Sequence, residues 1–405
     1  QEIVSSKNSW NFDMSKEQFW LQVTTAGDTC FRTDGDGTSM WRDLLAFQPA
    51  SSFILNDIEN LPALENFLEM NGDKLCGGYF SYDLGMALQS VVSQHKRQVP
   101  LAVIHAYDKW VEYQQGQPDY VGFDPSGFEN IDSPPDLSSP IEFTSSISKS
   151  RYANIIHRIQ EYIRAGDFYQ LNYTQQLTGK TDNTISYAAM LKKHPAAYAL
   201  AMEFGGFKIH SLSPELFLHH RNGILTTEPI KGTRPRGTTQ QEDDARRQEL
   251  MSSEKEQAEL FMITDLLRND LGKVSEVGSI SLEAVKDMRK LPKVWHTYSR
   301  ISGRLKQGLK PVDALLSMLP GGSITGCPKK HAMEIIDELE DTSRGIYTGS
   351  LGYFHPDGEF SFNIAIRTLV QQNSKISLGS GGGITIDSIW MEEWEELMVK
   401  ASTFL

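Results

Sequence analysis

The stretch RYANIIHRIQEYIRAGDFYQLNYTQQL (151–177) contains the two patterns that decide the fold class. In its first half, apolar residues recur at helical spacing, and Gly166 follows them where a helix C-cap belongs. Residues 168–177 then alternate apolar and polar side chains, as a strand does. The rest of the chain mixes β-rich runs with amphipathic helices and has no regular βαβ period. We therefore predict an α+β fold, with mixed or antiparallel sheets flanked by helices.

Two segments organise the first third of the chain. CGGYFSYDLGMAL (76–88) predicts a glycine-hinged strand that leads into a helix. QQGQPDYVGFDPSGFENIDSPPDLSSP (114–140) is rich in Pro, Ser, Gly and Asp and is typical of a long surface connection. We therefore predict an N-terminal region over 1–140 and a larger domain over 141–405.

Composition limits the classes of protein that the chain can represent. The 405 residues are 39% hydrophobic and 22% charged, which is typical of a globular protein, and no apolar run approaches the ~20 residues of a membrane span. A net charge of −13 argues against non-specific nucleic-acid binding, so an anionic substrate would need a local cluster of positive charge. The polar N-terminus shows no signal peptide. The three scattered cysteines indicate reduced thiols and a cytoplasmic protein: Cys30, Cys76 and Cys327.

Lys231 lies in PIKGTRPRG (229–237), a run punctuated by Pro and Gly that predicts a turn with a fixed backbone. Nearby Arg234 and Arg236, together with burial, would favour the neutral, nucleophilic form of its amine. The alternative is an exposed loop lysine with no catalytic role.

Three further segments could bind an anion. LPGGSITGCPKK (319–330) has glycines before a predicted helix and could present backbone N–H groups, although it lacks the Lys and Ser/Thr of a Walker A loop. A glycine-rich turn with Pro near the helix start is an equal alternative. LGSGGGITIDS (378–388) permits close approach of a ligand but would equally suit a flexible turn. In the predicted strand FNIAIRTL (362–369), Arg367 interrupts the apolar pattern. Such an arginine either forms an ion pair with a protein carboxylate or is available to bind a substrate carboxylate.

Two pairs of glutamates lie on predicted helices. Glu256 with Glu259, and Glu393 with Glu396, are spaced i,i+3, which places each pair on one helical face. Two such faces opposite each other would suit Mg²⁺. The alternatives are solvated acidic helix faces and, in the last helix, the register of Glu392 and Glu395. Glu393 is favoured because it borders that helix's predicted apolar stripe, made of Trp390, Trp394, Leu397 and Met398.

A series of segments after about residue 145 occurs in an order that resembles a known family. The segments are SPELF (213–217), PIKGTRPRG (229–237), EKEQAELFMITDLLRNDLGKV (254–274), HTYS (296–299), PGGSITGCPKKHAMEIIDELE (320–340), RGIYTGSLGYF (344–354), FNIAIRT (362–368) and GSGGGI (379–384). The series resembles the chorismate-utilising enzymes, which include anthranilate, aminodeoxychorismate, isochorismate and salicylate synthases. The resemblance implies that family's α/β sandwich fold.

Two positions indicate a branch of the family. Anthranilate synthases carry alanine where this chain has Lys231, so the PIKGT form resembles component I of the aminodeoxychorismate synthases. Isochorismate and salicylate synthases carry a water-activating lysine where this chain has Gln170. Without that base water is a poor nucleophile, whereas ammonia needs no deprotonation. The resemblance thus implies amination of chorismate to 4-amino-4-deoxychorismate, a precursor of p-aminobenzoate and folate.

The resemblance also implies a role for individual residues. Lys231 would form a covalent intermediate with the ring, and Glu215 would protonate the departing hydroxyl. Mg²⁺ would be bound by the two glutamate pairs. His296 resembles a family active-site histidine, and a purely structural hydrogen bond is an equal alternative. The remaining substrate-binding residues would be Arg367, Tyr347, Gly381, Gly382, Gly383, Lys400 and Thr233.

The resemblance leaves the source of ammonia to a partner. None of the three cysteines lies in a Gly-x-Cys-x-Gly nucleophile turn, so we expect a separate glutamine amidotransferase subunit. One alternative is anthranilate synthase component I, against which Lys231 argues. Another is a non-catalytic subunit that binds chorismate or tryptophan and regulates an amidotransferase. The stretch LLAFQPASSF (44–53) departs from the Leu-Leu-Glu-Ser signature of tryptophan-inhibited relatives.

Overall fold

The computed structural model describes residues 29–32, 40–114, 117–122, 141–181, 185, 187–291 and 293–401. Helices and strands are numbered within these residues. The helices are α1 (Pro62–Met70), α2 (Tyr82–Leu88), α3 (Lys149–Ala165), α4 (Tyr187–Lys193), α5 (Gln240–Ser252), α6 (Glu254–Val274), α7 (Pro311–Met318), α8 (Lys329–Leu339) and α9 (Trp390–Ala401).

The strands are mostly short, and two of the longest border the site described below. They are β1 (Thr29–Arg32), β2 (Leu44–Ala46), β3 (Ser51–Leu55), β4 (Leu75–Phe80), β5 (Ala102–Tyr107), β6 (Trp110–Gln114), β7 (Gln117–Val121), β8 (Thr144–Ser145), β9 (Leu171–Lys180), β10 (Tyr198–Phe204), β11 (Phe207–Ser213), β12 (Leu216–Arg221), β13 (Ile224–Glu228), β14 (Ile230–Pro235), β15 (Ser281–Lys290), β16 (Val294–Arg304), β17 (Ser350–Phe354), β18 (Phe360–Ile364), β19 (Thr368–Gln372) and β20 (Lys375–Ile384).

The strands form two antiparallel sheets. The first has the order β7-β6-β2-β1-β10-β11-β19-β20-β9-β8. The second has the order β14-β16-β13-β12-β18-β17-β4-β5-β3, and β15 also pairs with β16, from Trp295 to Ser302. The sequence prediction of an α+β fold with sheets flanked by helices is therefore confirmed.

Three hydrophobic cores hold four layers together. Helices α3, α8 and α9 pack on the first sheet, and Ile156, Leu171 and Leu397 are among the buried residues there. Apolar side chains of both sheets fill the space between them. Helices α1, α2, α6 and α7 cover the second sheet. Because each sheet buries both faces, nearly every strand contributes to a core.

Local predictions around the first core agree with the structure. Helix α3 begins after Ser148, whose hydroxyl accepts a hydrogen bond from Arg151 N. It ends at Gly166, which has the left-handed φ of +88° that a C-cap requires. Strand β9 follows at 171–180, close to the predicted 168–177. The predicted strand and helix of 76–88 correspond to β4 and α2.

The N-terminal strands belong to both sheets. Strand β4 lies between β17 and β5, and β1 pairs with β10. Strands from either side of the expected boundary in 114–140 are therefore hydrogen-bonded to each other. The boundaries 1–140 and 141–405 remain a prediction. Among the helices of the described residues, none is long and apolar enough to cross a membrane.

Glycine is required at Gly78 by the close packing of β4. A Cβ atom at this position would overlap the carbonyl oxygen of Val103 in the paired strand β5. Strand β5 is hydrogen-bonded to β4 on one side and to β3 on the other, so its backbone cannot easily move away. We predict that Gly78→Ala lowers the free energy of unfolding by about 1–3 kcal/mol, the usual range for overpacking. Urea denaturation measures this change.

Gly272 supplies the matched control. It lies in α6, and a Cβ atom there would meet no atom within 4 Å. Because alanine is the better helix former, Gly272→Ala is expected to stabilise the chain by up to about 1 kcal/mol. Equal stability of Gly78→Ala and the wild type would contradict the packing argument.

Candidate active site

A cavity of about 810 Å³ brings together residues that are far apart in the sequence. Both sheets, the first two turns of α6, helix α9 and the glycine-rich segment 319–330 contribute to its wall. All of the site residues proposed from the sequence line this cavity: Glu215, Lys231, Thr233, Glu256, Glu259, His296, Tyr347, Arg367, Gly381, Gly382, Gly383, Glu393, Glu396 and Lys400. The roles assigned to them remain predictions.

Lys231 lies on a strand, and the prediction of a turn is wrong. Residues 230–235 form β14, which pairs with β16. The register shifts between Lys231 and Thr233, and Gly232 between them has a φ of +84°. This bulge explains the glycine in the sequence, since a residue with a Cβ atom is strained there. Lys231 Nζ lies 3.8 Å from Glu259 Oε2.

The two arginines after Lys231 are neutralised by carboxylates. Arg236 forms a double hydrogen bond with Asp243, with both distances 2.7 Å. Arg234 bonds Glu249 at 2.7 Å and Glu256 at 2.8 Å. The sequence argument treated both as unpaired cations beside Lys231, and this part of it is wrong.

Glu215 is a buried carboxyl group in the connection between β11 and β12. It is 6% exposed, and its Oε1 accepts a hydrogen bond of 2.7 Å from Ser323 Oγ. Burial raises its pKa to about 7, although the Ser323 hydrogen bond and the charge of Lys231 act in the opposite direction. A carboxyl group with this pKa retains a proton near neutral pH, as a general acid must.

Arg367 lies between β18 and β19, so the predicted continuous strand over 362–369 is wrong. Its φ of +47° is the left-handed conformation, which breaks the strand pattern at this point. Its side chain forms no ion pair or hydrogen bond with the described residues, and burial lowers its pKa. Because a guanidinium group remains charged in proteins, this is an uncompensated cation in the wall of the cavity.

Two histidines next to Arg367 are neutral. His296 is 1% exposed, and its Nδ1 is 2.8 Å from Thr233 Oγ1. Burial, followed by the charge of Arg367, lowers the pKa of His296 to about 3. Burial and nearby cations likewise lower the pKa of His194 to about 4. The positive charge at this end of the cavity therefore comes from arginine and lysine.

The glycines of 378–388 belong to a strand, so the alternative of a flexible turn is wrong. Gly381, Gly382 and Gly383 are paired residues of β20 opposite β9. A Cβ atom on Gly383 would collide with the amide of Gln170, and one on Gly381 would collide with the backbone of Tyr173. Their hydrogen-only side chains keep this wall of the cavity flat and open to a ligand.

The four glutamates are partly occupied by neighbouring groups. Glu259 pairs with Lys231, and Glu256 with Arg234. Glu396 pairs with Lys400 at 2.7 Å, and Glu393 accepts a hydrogen bond of 2.8 Å from Ser388. Burial raises the pKa of Glu393. In Glu396 the cations Lys400, Lys231 and Lys255 outweigh burial and lower the pKa.

The ligand chemistry of these glutamates suits a magnesium ion. They are hard oxygen donors on two helices that line one cavity, and Mg²⁺ takes few protein ligands. Glu256 Oε2 is buried and has no hydrogen-bond partner among the described residues, as expected of a ligand atom without its ion. Among the described residues, no three His, Cys, Asp or Glu side chains are preassembled for a metal. Binding would therefore require the glutamates to leave some of their present partners.

The sequence analysis missed several residues of the cavity. Ser323, Asn172, Lys255 and His194 all line it. Ser323 lies in the glycine-rich segment 319–330, where the sequence indicated either a backbone anion site or a plain turn, yet its hydroxyl donates a hydrogen bond to Glu215. Lys255 immediately precedes Glu256 and could have been found from that position. Asn172 and His194 carry no local signal, because only the tertiary fold brings them here.

Arg344 braces the wall from behind the cavity. Its side chain is 2% exposed and donates to both oxygens of Glu340, at 2.9 and 2.7 Å. It also donates to Asn172 O at 2.7 Å and to Ile324 O at 2.8 Å. The guanidinium group stacks over Tyr82, 4.6 Å from the ring centroid. One side chain therefore ties β9 to the glycine-rich segment and to α2.

Burial of Glu215 has a consequence for stability. Since its pKa is about 7 in the folded protein, above the ordinary value of 4.5, the folded state binds this proton more tightly than the unfolded state. The resulting stabilisation is present at low pH and is lost as the pH rises through 7. Gln cannot ionise. We therefore predict that Glu215→Gln gains about 2–3 kcal/mol of stability relative to wild type between pH 5 and pH 8.

Denaturant unfolding of both proteins at the two pH values measures this difference. Glu203→Gln, which changes an exposed carboxylate, is the control and should show no such gain. A difference between Glu215→Gln and wild type that stays constant with pH would rule out the raised pKa of Glu215.

Comparison with known proteins identifies the family. Residues 28–405 match the family model described as chorismate binding enzyme. Anthranilate synthase component 1 3 of Haloarcula marismortui is 36% identical over 360 residues, which cover 80% of this chain and 72% of that protein. Aminodeoxychorismate synthase component 1 of Bacillus subtilis is 38% identical over 265 residues, 64% of this chain and 56% of that protein. The chain spans little more than half the length of several such relatives.

A solved structure supports the same conclusion. Anthranilate synthase component I from Streptococcus pneumoniae superposes with a TM-score of 0.78 at 26% identity, covering 89% of this chain and 92% of that one. The family model covers both sheets and the entire cavity. This chain therefore belongs to the chorismate binding enzyme family.

Proposed function

We propose that this chain is component I of an aminodeoxychorismate synthase. It converts chorismate and ammonia to 4-amino-4-deoxychorismate through a covalent bond to Lys231. The observation that carries the proposal is the presence of Lys231 in the same cavity as Glu215, whose pKa is about 7, and the uncompensated Arg367. A nucleophile, a proton donor and a carboxylate receptor are the groups that this substitution needs.

Recognition of the substrate rests on the cationic and glycine-lined walls. Arg367 can bind the enolpyruvyl carboxylate in a bidentate manner, because no protein carboxylate occupies its guanidinium group within the described residues. Tyr347 and the backbone of Gly381 to Gly383 complete this end. Lys400, which donates to Gly381 O at 2.8 Å, holds the glycine strand and adds positive charge.

The first chemical step joins the lysine to the ring. Lys231 attacks C2 through the lone pair of its amine, both double bonds of the ring diene shift toward C4, and the C4–O bond breaks. Glu215 gives its proton to the departing oxygen, which leaves as water, and remains as a carboxylate. Ser323 bonds Glu215 Oε1, so the proton to be transferred lies on Oε2.

In the second step ammonia is the nucleophile, and the ring double bonds shift back. Ammonia attacks C4, the two double bonds return to their original positions, and the C2–N bond breaks, so that Lys231 leaves with the bonding pair as an amine. The ammonium group formed at C4 returns a proton to the Glu215 carboxylate, and the enolpyruvyl group stays on the ring. Two displacements replace one difficult substitution, which is the usual advantage of covalent catalysis.

The proposal includes Mg²⁺ as cofactor. The residues that would hold it are Glu256, Glu259, Glu393 and Glu396. When bound, the ion neutralises and orients the ring carboxylate of chorismate.

The alternative within the family is anthranilate synthase component I. It has support, because relatives of both names match the chain at similar identity. Anthranilate synthase would eliminate pyruvate and form an aromatic ring. Lys231 argues against it, since a lysine in the cavity offers covalent chemistry that this alternative leaves unused.

Product analysis separates these functions. We predict that the purified chain with chorismate, Mg²⁺ and ammonium at mildly alkaline pH yields aminodeoxychorismate, detected by mass spectrometry. Lys231→Ala should lower the rate by at least about 100-fold, the lower end for loss of a catalytic group. Lys375→Ala, at an exposed strand end, is the control for substitution of a lysine.

Other products would change the assignment. Anthranilate with pyruvate would assign the chain to the alternative branch. Binding of chorismate without turnover would favour a regulatory subunit. A fully active Lys231→Ala enzyme would exclude the covalent intermediate while leaving the product assignment intact.

The proposal assigns the production of ammonia to a glutamine amidotransferase partner. Of the cysteines whose side chains are described, Cys76 is buried in the second core, and Cys327 lies in the glycine-rich segment. Several relatives are named as component 1 of their enzymes, which implies a second component. We predict that the chain alone uses free ammonium but not glutamine, and that adding a cognate amidotransferase enables glutamine-dependent turnover. Glutamine use by the purified chain alone would contradict the proposal.

A further inference from the structure

The junction of α5 and α6 is a single residue beside the cavity. Ser253 ends α5 and begins α6, and its hydroxyl accepts the hydrogen bond of Glu256 N at 3.4 Å. Lys255, Glu256 and Glu259 follow within the first two turns and line the cavity. A small rotation at Ser253 would therefore displace both glutamates of α6.

A buried lysine from another element holds this junction. Lys286 lies on β15, is 7% exposed and donates from Nζ to three acceptors. The acceptors are Met251 O at 2.6 Å, Ser253 O at 3.1 Å and the side chain of Gln257 at 3.2 Å. Each of the three ammonium hydrogens thus has a neutral acceptor, and no carboxylate of the described part of the chain pairs with Lys286. The carbonyl groups belong to the C-terminal end of α5, where a cation is electrostatically favoured.

The backbone of β15 is distorted at this residue. Between Ala284 and Asp287 two residues of β15 oppose one of β16, which is a β-bulge. Lys286 has a φ of +49°, an unfavourable conformation for a residue with a long side chain. Its neighbour Val285 is half exposed, while Lys286 is turned inward. The unfavourable backbone conformation of Lys286 places its buried ammonium group at the junction of α5 and α6. Strain of this kind is retained where a residue has a functional role.

We propose that Lys286 is a positioning residue that fixes the start of α6, so that Glu256 and Glu259 face the cavity in the geometry that binds a divalent cation. This inference rests on the proposed function, because it takes the two glutamates as ligands of Mg²⁺. Lys286 itself is absent from the cavity wall and touches neither the ion nor the substrate. Its loss therefore acts on the cation site through the helix.

Lys286→Met tests this role while keeping most of the apolar stem. We expect the dissociation constant for Mg²⁺, measured by calorimetry on the purified chain with chorismate present, to rise about 10-fold, as is usual when a supporting residue is lost. The turnover number at saturating Mg²⁺ should stay within about twofold of wild type, because Lys231 and Glu215 are untouched. A general loss of structure would lower turnover at every Mg²⁺ concentration.

Two further variants keep the inference testable. Gln257→Ala removes one of the three acceptors and should weaken Mg²⁺ binding less than Lys286→Met, in the same direction. Lys290→Met, at an exposed lysine of the same strand, should leave the binding unchanged. Should Lys286→Met fail to fold, Gln257→Ala carries the test alone.

The outcomes separate the inference from the function on which it rests. If the wild type binds Mg²⁺ and both Lys286→Met and Gln257→Ala bind it with the same affinity, the inference is overturned while the proposed function stands. A wild-type chain that binds no Mg²⁺ overturns the proposed cofactor and this inference with it. Aminodeoxychorismate synthesis with weakened Mg²⁺ binding in both variants supports both.

Discussion

The cavity depends on the buried ion pair of Arg344 and Glu340. Both side chains are almost entirely excluded from solvent, and an unpaired charge there would be costly. Glu340 Oε1 also accepts from the backbone N and the hydroxyl of Thr174, so the pair holds β9 from two sides. Arg344 holds Asn172 O and Ile324 O. Loss of either partner would leave one buried charge uncompensated, at about 3–5 kcal/mol.

The Arg344–Glu340 ion pair also determines the position of Ser323. Leu319 and Ile324 of the glycine-rich segment are buried in the second core, and the carbonyl of Ile324 is held by Arg344. Ser323 is the preceding residue and reaches Glu215. A structural ion pair on one side of the segment thus helps to fix Glu215, the proposed proton donor, on the other side. In the same way, Lys286 fixes the start of α6 from outside the cavity.

Three cations of the cavity are paired with glutamates, whereas Arg367 is not. Lys231, Arg234 and Lys400 each lie against a glutamate of the proposed metal site. Arg367 has no such partner among the described residues. In a chain of net charge −13, this supplies the local positive charge that an anionic substrate needs. The paired groups can exchange partners when an ion or substrate enters, whereas Arg367 is already free to bind.

The fold class and the residues that line the cavity could be predicted from the sequence. The local backbone conformation at several of those residues could not. Helix α3 was predictable because its stripe and Gly166 are local signals, and the glutamate pairs were found from helical spacing. Lys231 was placed in a turn because Gly232 and Pro229 resemble turn residues. A bulge in a paired strand uses the same residues, and only the partner strand distinguishes the two.

Arg367 was placed within a strand, since a single left-handed residue leaves no mark on an alternating pattern. Asn172, Ser323 and Lys286 depend on contacts between distant segments.

The placement of β4 between β17 and β5 has a consequence for how the chain acquires its fold. The residues that close the middle of the second sheet come from positions about 270 apart in the sequence, as in the pairing of Gly78 with Gly352. Such pairings are slow to form, because a long loop must close before they give any stability. During synthesis, β4 and β5 leave the ribosome long before β17 exists and expose an unpaired strand edge meanwhile. The folding of this chain is therefore expected to be a late, whole-chain event, with the greatest tendency to aggregate before β17 (Ser350–Phe354) has been made.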